Sequence, residues 1–154
     1  MTTPSVIPVG FNGDSTDFLK SKRDTFGAVR SVKGTVSVPS GTAANEFVGL
    51  VPFRKGASFT IGNGSVHCGD FGAGTTTVNL GVIYDDDASF TNDPDAFVSA
   101  STAAQAGGFL TIDEISGLTL EAEGDGWLAV QILVADSDAT ADITFNVGVA
   151  YDPA

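Results

Sequence analysis

The chain has 154 residues, of which 42% are hydrophobic and 11 are Phe, and this content supports one domain with a substantial core and excludes a disordered chain. A single cysteine, Cys68, excludes a disulfide-stapled scaffold and favours maturation in a reducing cytoplasm. The formal net charge of −12 disfavours free nucleic acid as a partner, because very few cations would have to overcome the repulsion from phosphates.

The N-terminal sequence predicts neither secretion nor membrane insertion. It lacks the basic and long apolar regions of a signal peptide, and no stretch in the chain reaches about 18 uninterrupted apolar residues. We therefore expect a protein that is made in the cytoplasm and does not span a membrane.

The charges are distributed unevenly along the chain. The first 55 residues contain seven basic and four acidic residues (7 − 4 = +3), whereas the remaining 99 contain 15 acidic residues and no Lys or Arg (−15). This asymmetry favours one basic region that meets a partner and one acidic surface that keeps the protein soluble. Compositional drift across a single domain explains the pattern about equally well.

Residues 1–27 predict an extended N-terminal arm. Pro4 and Pro8 remove backbone donors and oppose a helix, so the first residues are expected to be extended. The segment 14–26 is the one place where a short helix fits, with Asp14 or Ser15 as its cap. The arm holds three of the seven basic residues beside Phe18 and Phe26, a content that suits docking onto another protein.

Residues 28–154 predict a single all-β domain. About nine short strands, separated by turns rich in Gly, Pro and Asp, are typical of a β-sandwich, either a jelly roll or an Ig-like fold. One strand, 46–51, is expected to end at Pro52. The predicted strands are 32–38, 46–51, 57–61, 65–71, 75–84, 96–100, 109–112, 118–122, 127–135 and 143–151, with a small-residue connector and one helical turn at 101–108.

The last 26 residues carry the clearest pattern. From Ile143 to Tyr151 apolar residues alternate with small or polar ones, which predicts a strand with one buried and one wet face. The preceding run, 127–135, is apolar at nearly every position, as expected for a strand that is covered on both faces. Because polar residues 136–140 form a turn sequence, we expect these two strands to pair as a closing β-hairpin.

Two motifs resemble catalytic or phosphate-binding sequences but fail on spacing. His67 and Cys68 are adjacent on a predicted strand, so they point to opposite faces and cannot act together as base and nucleophile. Zinc needs further Cys or His ligands, and the chain has none. The segment GDFGAGT, 69–75, lacks the Gly-Lys-Ser/Thr ending of a phosphate loop and precedes a strand, so we expect a hairpin turn.

The acidic loop 85–95 is a candidate for calcium rather than for catalysis. Its carboxylates could ligate calcium, although their spacing differs from that of an EF-hand, and a solvated acidic turn is the simpler interpretation. No pair of acids is placed for glycoside hydrolysis. An aromatic platform of Trp127, Tyr84 and Tyr151 could stack on sugars, but core packing of Trp127 is expected instead. The calcium candidates are Asp85, Asp87, Asp93 and Asp95.

The pattern as a whole resembles virion structural proteins of tailed phages, and it is most similar to the head decoration, or cement, proteins that bind the outside of the capsid. Three stretches carry the likeness: the arm through Val38, the segment VGLVPFRKGASFTIGNGSVHCGDFGAGTTTVNLGVIYDDD (48–87), and the closing strands 126–151. The resemblance implies a non-enzymatic protein without cofactors that forms dimers or trimers over junctions between major capsid proteins on the virion exterior. It implies no direct contact with nucleic acid or membrane.

The charge asymmetry and the resemblance together predict the capsid-facing residues. We expect the arm and the first strands to face the capsid, with apolar anchors giving affinity and charge setting orientation. The alternative is a tail- or fibre-associated module that recognises a host glycan, and a small β-fold hydrolase ranks last. The expected contact residues are Phe11, Phe18, Lys20, Lys22, Arg23, Phe26, Arg30, Lys33, Arg54 and Lys55.

Overall fold

The computed structural model describes residues 4–6, 29–72, 74–134 and 137–151. They form two antiparallel sheets packed face to face, which confirms the predicted all-β sandwich. Nine strands are described: β1 Arg30–Val38, β2 Phe47–Phe53, β3 Ala57–Thr60, β4 Val66–Cys68, β5 Thr77–Tyr84, β6 Asp93–Ser101, β7 Gly108–Phe109, β8 Gly126–Val134 and β9 Ala141–Tyr151.

The strands pair in a nested order. β1 pairs with β9, β2 with β8, β4 with β7 and β5 with β6, so the chain folds like one long hairpin whose two arms run from β1 to β5 and from β6 to β9. Successive pairs alternate between the sheets. The first sheet has the order β1-β9-β4-β7, with β3 also on β9, and the second has the order β2-β8-β5-β6.

β9 is the central strand of the first sheet. It pairs with all of β1 on one side and with β3 and β4 on the other. Ile143, Phe145 and Val147 are buried while Thr144 and Asn146 are exposed, so the predicted alternation is confirmed. β8 lies inside the second sheet, and Trp127 to Val130 are all buried, as the continuous apolar run predicted.

The second sheet is apolar on both of its faces. Its inner face joins the main core, and its outer face carries a second cluster of Ile83, Trp127 and Ala129, with Phe47 packed against it. Residues 4–6 lie along β2, where Val6 bridges to Val48 and Pro4 is buried. Gly49 permits this approach, since a Cβ there would lie 2.8 Å from both the Pro4 and Trp127 side chains.

The expected closing hairpin is wrong in one respect. β8 and β9 have the predicted bounds to within two residues, but they lie in different sheets and do not pair. The segment 69–75 is likewise not a hairpin turn, since it carries the chain from β4 in the first sheet to β5 in the second. Strand patterns record burial but not the pairing partner, and this sandwich changes sheet at most connections.

Other strand boundaries also differ from the prediction. Pro52 does not end β2, which continues to Phe53; β2 is an outer strand of its sheet, where a missing backbone donor is tolerated. The predicted strand 118–122 is absent, and a 3₁₀ turn, Ser116–Thr119, lies there instead. β6 begins at Asp93, inside the predicted acidic loop, because Asp93 pairs with Val82 beyond a large register shift.

Candidate interaction surface

Only part of the predicted contact set lies within the described residues. Arg30, Lys33, Arg54 and Lys55 are described and partly or fully exposed. The predicted short helix 14–26 and six further contact residues lie outside the described residues: Phe11, Phe18, Lys20, Lys22, Arg23 and Phe26.

Three of the described cations lie at one end of the sandwich. Arg30 begins β1 opposite Val149, two residues before the end of β9. Arg54 follows β2 at this end, where its backbone N–H donates to the Tyr151 hydroxyl at 3.1 Å, and Lys55 is the next residue. We call the surface formed by Arg30, Arg54 and Lys55 the basic end. Lys33 lies apart, on the outer face of the first sheet.

The basic end is not separated from acidic groups. The backbone N–H of Lys55 donates to the Asp125 carboxylate at 3.0 Å, and Glu121 and Glu123 border the same shallow surface as Lys55. This arrangement follows from the nested pairing, which brings the connection before β8 beside the end of β2. The charge asymmetry of the sequence is therefore only partly a spatial separation.

The outer face of the first sheet is polar and carries one exposed aromatic ring. Thr35, Thr144, His67 and Phe109 lie opposite one another in a single row across β1, β9, β4 and β7. The Phe109 side chain is 59% exposed and meets the His67 ring edge-on, with the ring centres 4.9 Å apart. A groove of about 420 Å³ runs over this row.

His67 and Cys68 do point to opposite faces, as predicted. His67 lies on the outer face, while Cys68 is fully buried in the core, and burial raises the pKa of its thiol to about 12. A thiol in that state is not a nucleophile near neutral pH. The strand geometry thus removes the one Cys–His pair from catalysis.

The acidic loop is organised by bonds within its own segment. The Asp86 carboxylate accepts the Ser89 N–H at 3.2 Å, and the Asn92 side chain accepts the Tyr84 N–H at 2.8 Å. Burial raises the pKa of Asp93, and the neighbouring carboxylates of Asp95 and Glu114 raise it further.

Within the described ranges, no three His, Cys, Asp or Glu side chains are grouped as metal ligands would be. Asp85, Asp87, Asp93 and Asp95 are therefore not gathered into one cluster. Neither described helical turn is long and apolar enough to cross a membrane.

The expected core packing of Trp127 is confirmed, and Trp127 and Tyr84 do not form an exposed aromatic platform. Trp127 is fully buried, as core packing required, and Tyr84 is 4% exposed. Sequence reasoning missed a different set of exposed apolar side chains, namely Phe109, Ile115 at 78% exposure and Leu118 at 74%. Phe109 and Leu118 lie in the predicted strands 109–112 and 118–122, whose apolar pattern indicated burial, and Ile115 lies between these two strands.

Comparisons with known proteins identify the fold. No protein-family model and no curated protein sequence matches the chain. A chain of the capsid of Ralstonia phage GP4 has a TM-score of 0.64 and 19% identity, over 86% of this chain and 90% of that chain. A chain of the cyanophage Pam1 capsid asymmetric unit has a TM-score of 0.56 and 17% identity, over the same shares of the two chains. The fold of this protein is therefore one found in phage capsids.

Proposed function

We propose that this protein is a structural component of a tailed-phage virion that binds the outside of the capsid and stabilises the shell. The observation that carries the proposal is the shared fold with chains of two phage capsids, which extends over 90% of each of those chains. An isolated core motif would not give such coverage, because most loops and both sheets must correspond.

We also infer that the sandwich is a jelly roll rather than an Ig-like fold. A jelly roll is a long antiparallel hairpin rolled into two sheets, and nested pairs that alternate between sheets are what such rolling produces. The pairs β1–β9, β2–β8, β4–β7 and β5–β6 fit this description. Viral capsid domains commonly have this architecture.

The absence of assembled chemistry supports a non-enzymatic role. In the described part of the chain the lone cysteine is buried, the lone histidine faces away from it, and no metal-ligand group is gathered. The groove beside Phe109 and the groove beside Asp93 are shallow and open rather than enclosed, unlike the pockets that bury small substrates.

The contact surface follows from the arm and the basic end. The arm supplies apolar anchors, Phe11, Phe18 and Phe26, and a cationic group, Lys20, Lys22 and Arg23, which lead toward Arg30 at the start of β1. Such contacts repeated over many copies on one shell give high occupancy from modest individual affinity. The acidic residues away from the basic end face solvent and disfavour adhesion between decorated particles.

The experiment measures occupancy on particles that lack the protein. Purified protein is added to undecorated capsids, and copies per major capsid protein are counted after sedimentation. We expect saturation at hundreds of copies per particle and increased resistance of the filled shell to heat. A handful of copies, or none, contradicts the proposal.

A charge-matched pair of variants tests the arm. Replacing Lys20, Lys22 and Arg23 with Ala changes the net charge from −12 to −15, and occupancy should fall. Replacing the exposed Thr102, Thr111 and Thr119 with Glu produces the same −15 but leaves the arm intact, and occupancy should stay near the wild-type value. Equal loss in both variants would indicate general repulsion instead of arm docking.

One observation favours glycan recognition as the second candidate function. Phe109 stands exposed beside His67, above a groove with hydroxyl and amide groups from Thr35, Thr144 and Asn146. A ring with neighbouring hydrogen-bonding groups is what a sugar-binding surface needs. Binding to a glycan array that is lost in Phe109→Ala, together with absence from the capsid, would move the assignment to a tail module.

A further inference from the structure

We propose that two copies of this chain associate by pairing β1 with β1 of the second copy, antiparallel and about a two-fold axis at Gly34. The partner is thus a second copy of the chain, and the contact extends the first sheet. This association does not rest on the capsid proposal, since it follows from the exposed strand and its sequence.

From Ser31 to Val38, the outer edge of β1 is unpaired in the part of the chain that the structure describes. β1 pairs with β9 at every residue from Arg30 to Val38, with no bulge, and it is the last strand of its sheet. The side-chain bonds of Ser31 and Thr35 also go to β9, to Asn146 and Thr144. Among the described residues, no hydrogen bond runs from residues 31–38 to a segment other than β9.

Such an edge is unusual in this protein and is a template for another strand. On the same side of the sandwich, β2 is covered by residues 4–6, which bridge to it in parallel. Proteins commonly protect an edge with proline, a bulge, a short strand or charged side chains, and of these the nine residues of β1 have only charged side chains, Arg30 and Lys33. Lys33 is the one charge near the middle of this edge.

The sequence of β1 reads nearly the same in both directions, so two antiparallel copies would place like residues opposite each other. Residues 31–37 are SVKGTVS, which is a palindrome about Gly34 apart from Lys33 and Thr35. A two-fold axis at Gly34 therefore sets Ser31 opposite Ser37, Val32 opposite Val36, and Lys33 opposite Thr35 of the second copy. An isologous contact requires this kind of self-matching.

This register also keeps the faces of the sheet in order. Val32, Val36 and Val38 point inward and Lys33 and Thr35 point outward, and the two-fold pairs inward residues with inward ones. A slip by one residue would place inward side chains opposite outward ones and break the continuity of the core. The paired first sheets then run as β7-β4-β9-β1 followed by β1-β9-β4-β7 of the second copy.

The charged side chains of β1 do not oppose this register, because neither lies directly opposite another cation. Lys33 faces the Thr35 hydroxyl, and the two Lys33 side chains are diagonal neighbours, about 7–8 Å apart. Arg30 faces Val38. Because each chain carries −12, long-range repulsion opposes association, and raising the salt concentration should strengthen the dimer.

Two substitutions at Thr35 separate this register from general charge effects. Thr35 is exposed, and its hydroxyl lies 3.3 Å from that of Thr144, a contact that both variants lose equally. Thr35→Lys places Lys opposite Lys33 at two positions across the axis but reduces the negative net charge of each chain from −12 to −11. Thr35→Glu places Glu opposite Lys33 at both positions but increases the negative net charge to −13. If net charge alone controlled association, Thr35→Lys would form the tighter dimer. The proposed register predicts the opposite, that Thr35→Glu forms the tighter dimer.

The measurement is sedimentation equilibrium over a range of concentrations, with Trp127 fluorescence as a check that each variant is folded. We expect a wild-type dimer, a dimer dissociation constant about 2- to 30-fold higher for Thr35→Lys, and a lower one for Thr35→Glu. A monomeric wild-type protein, the reverse order of the variants, or an oligomer that neither variant changes would overturn the proposal.

Cysteine cross-linking reads the register directly. Lys33→Cys and Thr35→Cys proteins, mixed and oxidised, should form a covalent heterodimer faster than either protein forms a homodimer, since residue 33 lies opposite residue 35 and not opposite its own copy. The buried Cys68 does not compete, because its thiol has a pKa of about 12. Equal rates in the mixture and in the separate proteins would contradict the register.

Discussion

Phe71 offers the sharpest test of how the connection between the sheets is held. This residue lies in the segment that carries the chain from β4 to β5, yet its side chain is fully buried in the main core. Its backbone is also fixed, since its N–H donates to the Ala104 carbonyl at 2.9 Å and its own carbonyl accepts from Asp138 at 2.8 Å and Ala139 at 2.9 Å. Because these hydrogen bonds hold the backbone in place, we expect Phe71→Ala to leave a cavity in the core that the chain cannot close by moving inward.

The cost of Phe71→Ala follows from burial. Truncating a fully buried Phe costs about 3–5 kcal/mol, and for about 150 residues each kcal/mol lowers the melting temperature by about 2–4 °C, so a decrease of about 6–20 °C is expected. The matched control is Phe109→Ala, the same change at a ring that is 59% exposed, with an expected effect within about 0.5 kcal/mol.

Urea unfolding followed by the fluorescence of the single Trp127 provides the assay for both Phe variants. The protein concentration is held constant, because self-association would couple stability to concentration. If Phe71→Ala were as stable as Phe109→Ala, the segment 69–75 would be a surface loop and not a core connection.

Three further changes test a partly buried carboxyl group, a buried hydroxyl group and a close-packed glycine. Asp93→Asn should raise the free energy of unfolding at pH 7, because the folded state raises the pKa of this carboxyl and so favours its protonated form; the gain should shrink as the pH falls toward the unfolded value of about 3.9. Thr76→Val should stabilise by about 1–3 kcal/mol, since the Thr76 hydroxyl is fully buried with no hydrogen-bond partner among the described residues, and a loss in a thermal melt would contradict this. Gly81→Ala should destabilise by about 3 kcal/mol or more, because a methyl group would collide with the backbone of Asp93 and Pro94, whereas Gly64→Ala, with no atom within 4 Å, should change little.

The sequence predicted those features of the fold that depend on local burial. β1, β5, β8 and β9 were found within about two residues because their patterns of apolar and polar residues directly record which side chains are covered. Which strands pair with each other was harder to predict, because pairing joins residues that are far apart in the chain. β8 and β9 follow one another closely and still belong to different sheets, and nothing in their own residues distinguishes that outcome from a hairpin.

The sequence predicted which charged residues the candidate surface could contain, but not which residues lie beside them in the fold. The basic residues could be counted, but the nested pairing that sets Lys55 beside Asp125 is a property of four strands together. Phe109 shows the same limit for apolar groups. It was assigned to a strand, which is correct, but its exposure depends on β7 being only two residues long and on its ring lying on the outer face.

The two proposals constrain each other geometrically. In the β1 register, Arg30 of one copy lies opposite Val38 of the other, so the two Arg30 residues are separated by eight residues of strand, about 27 Å at 3.4 Å per residue. The two basic ends then point in opposite directions along the strands. An end-on attachment would use only one of them, whereas a dimer lying with a sheet face along the capsid would use both. If the proposed decoration uses both basic ends, the dimer must lie flat on the shell, and the binding of one copy then strengthens the binding of the other.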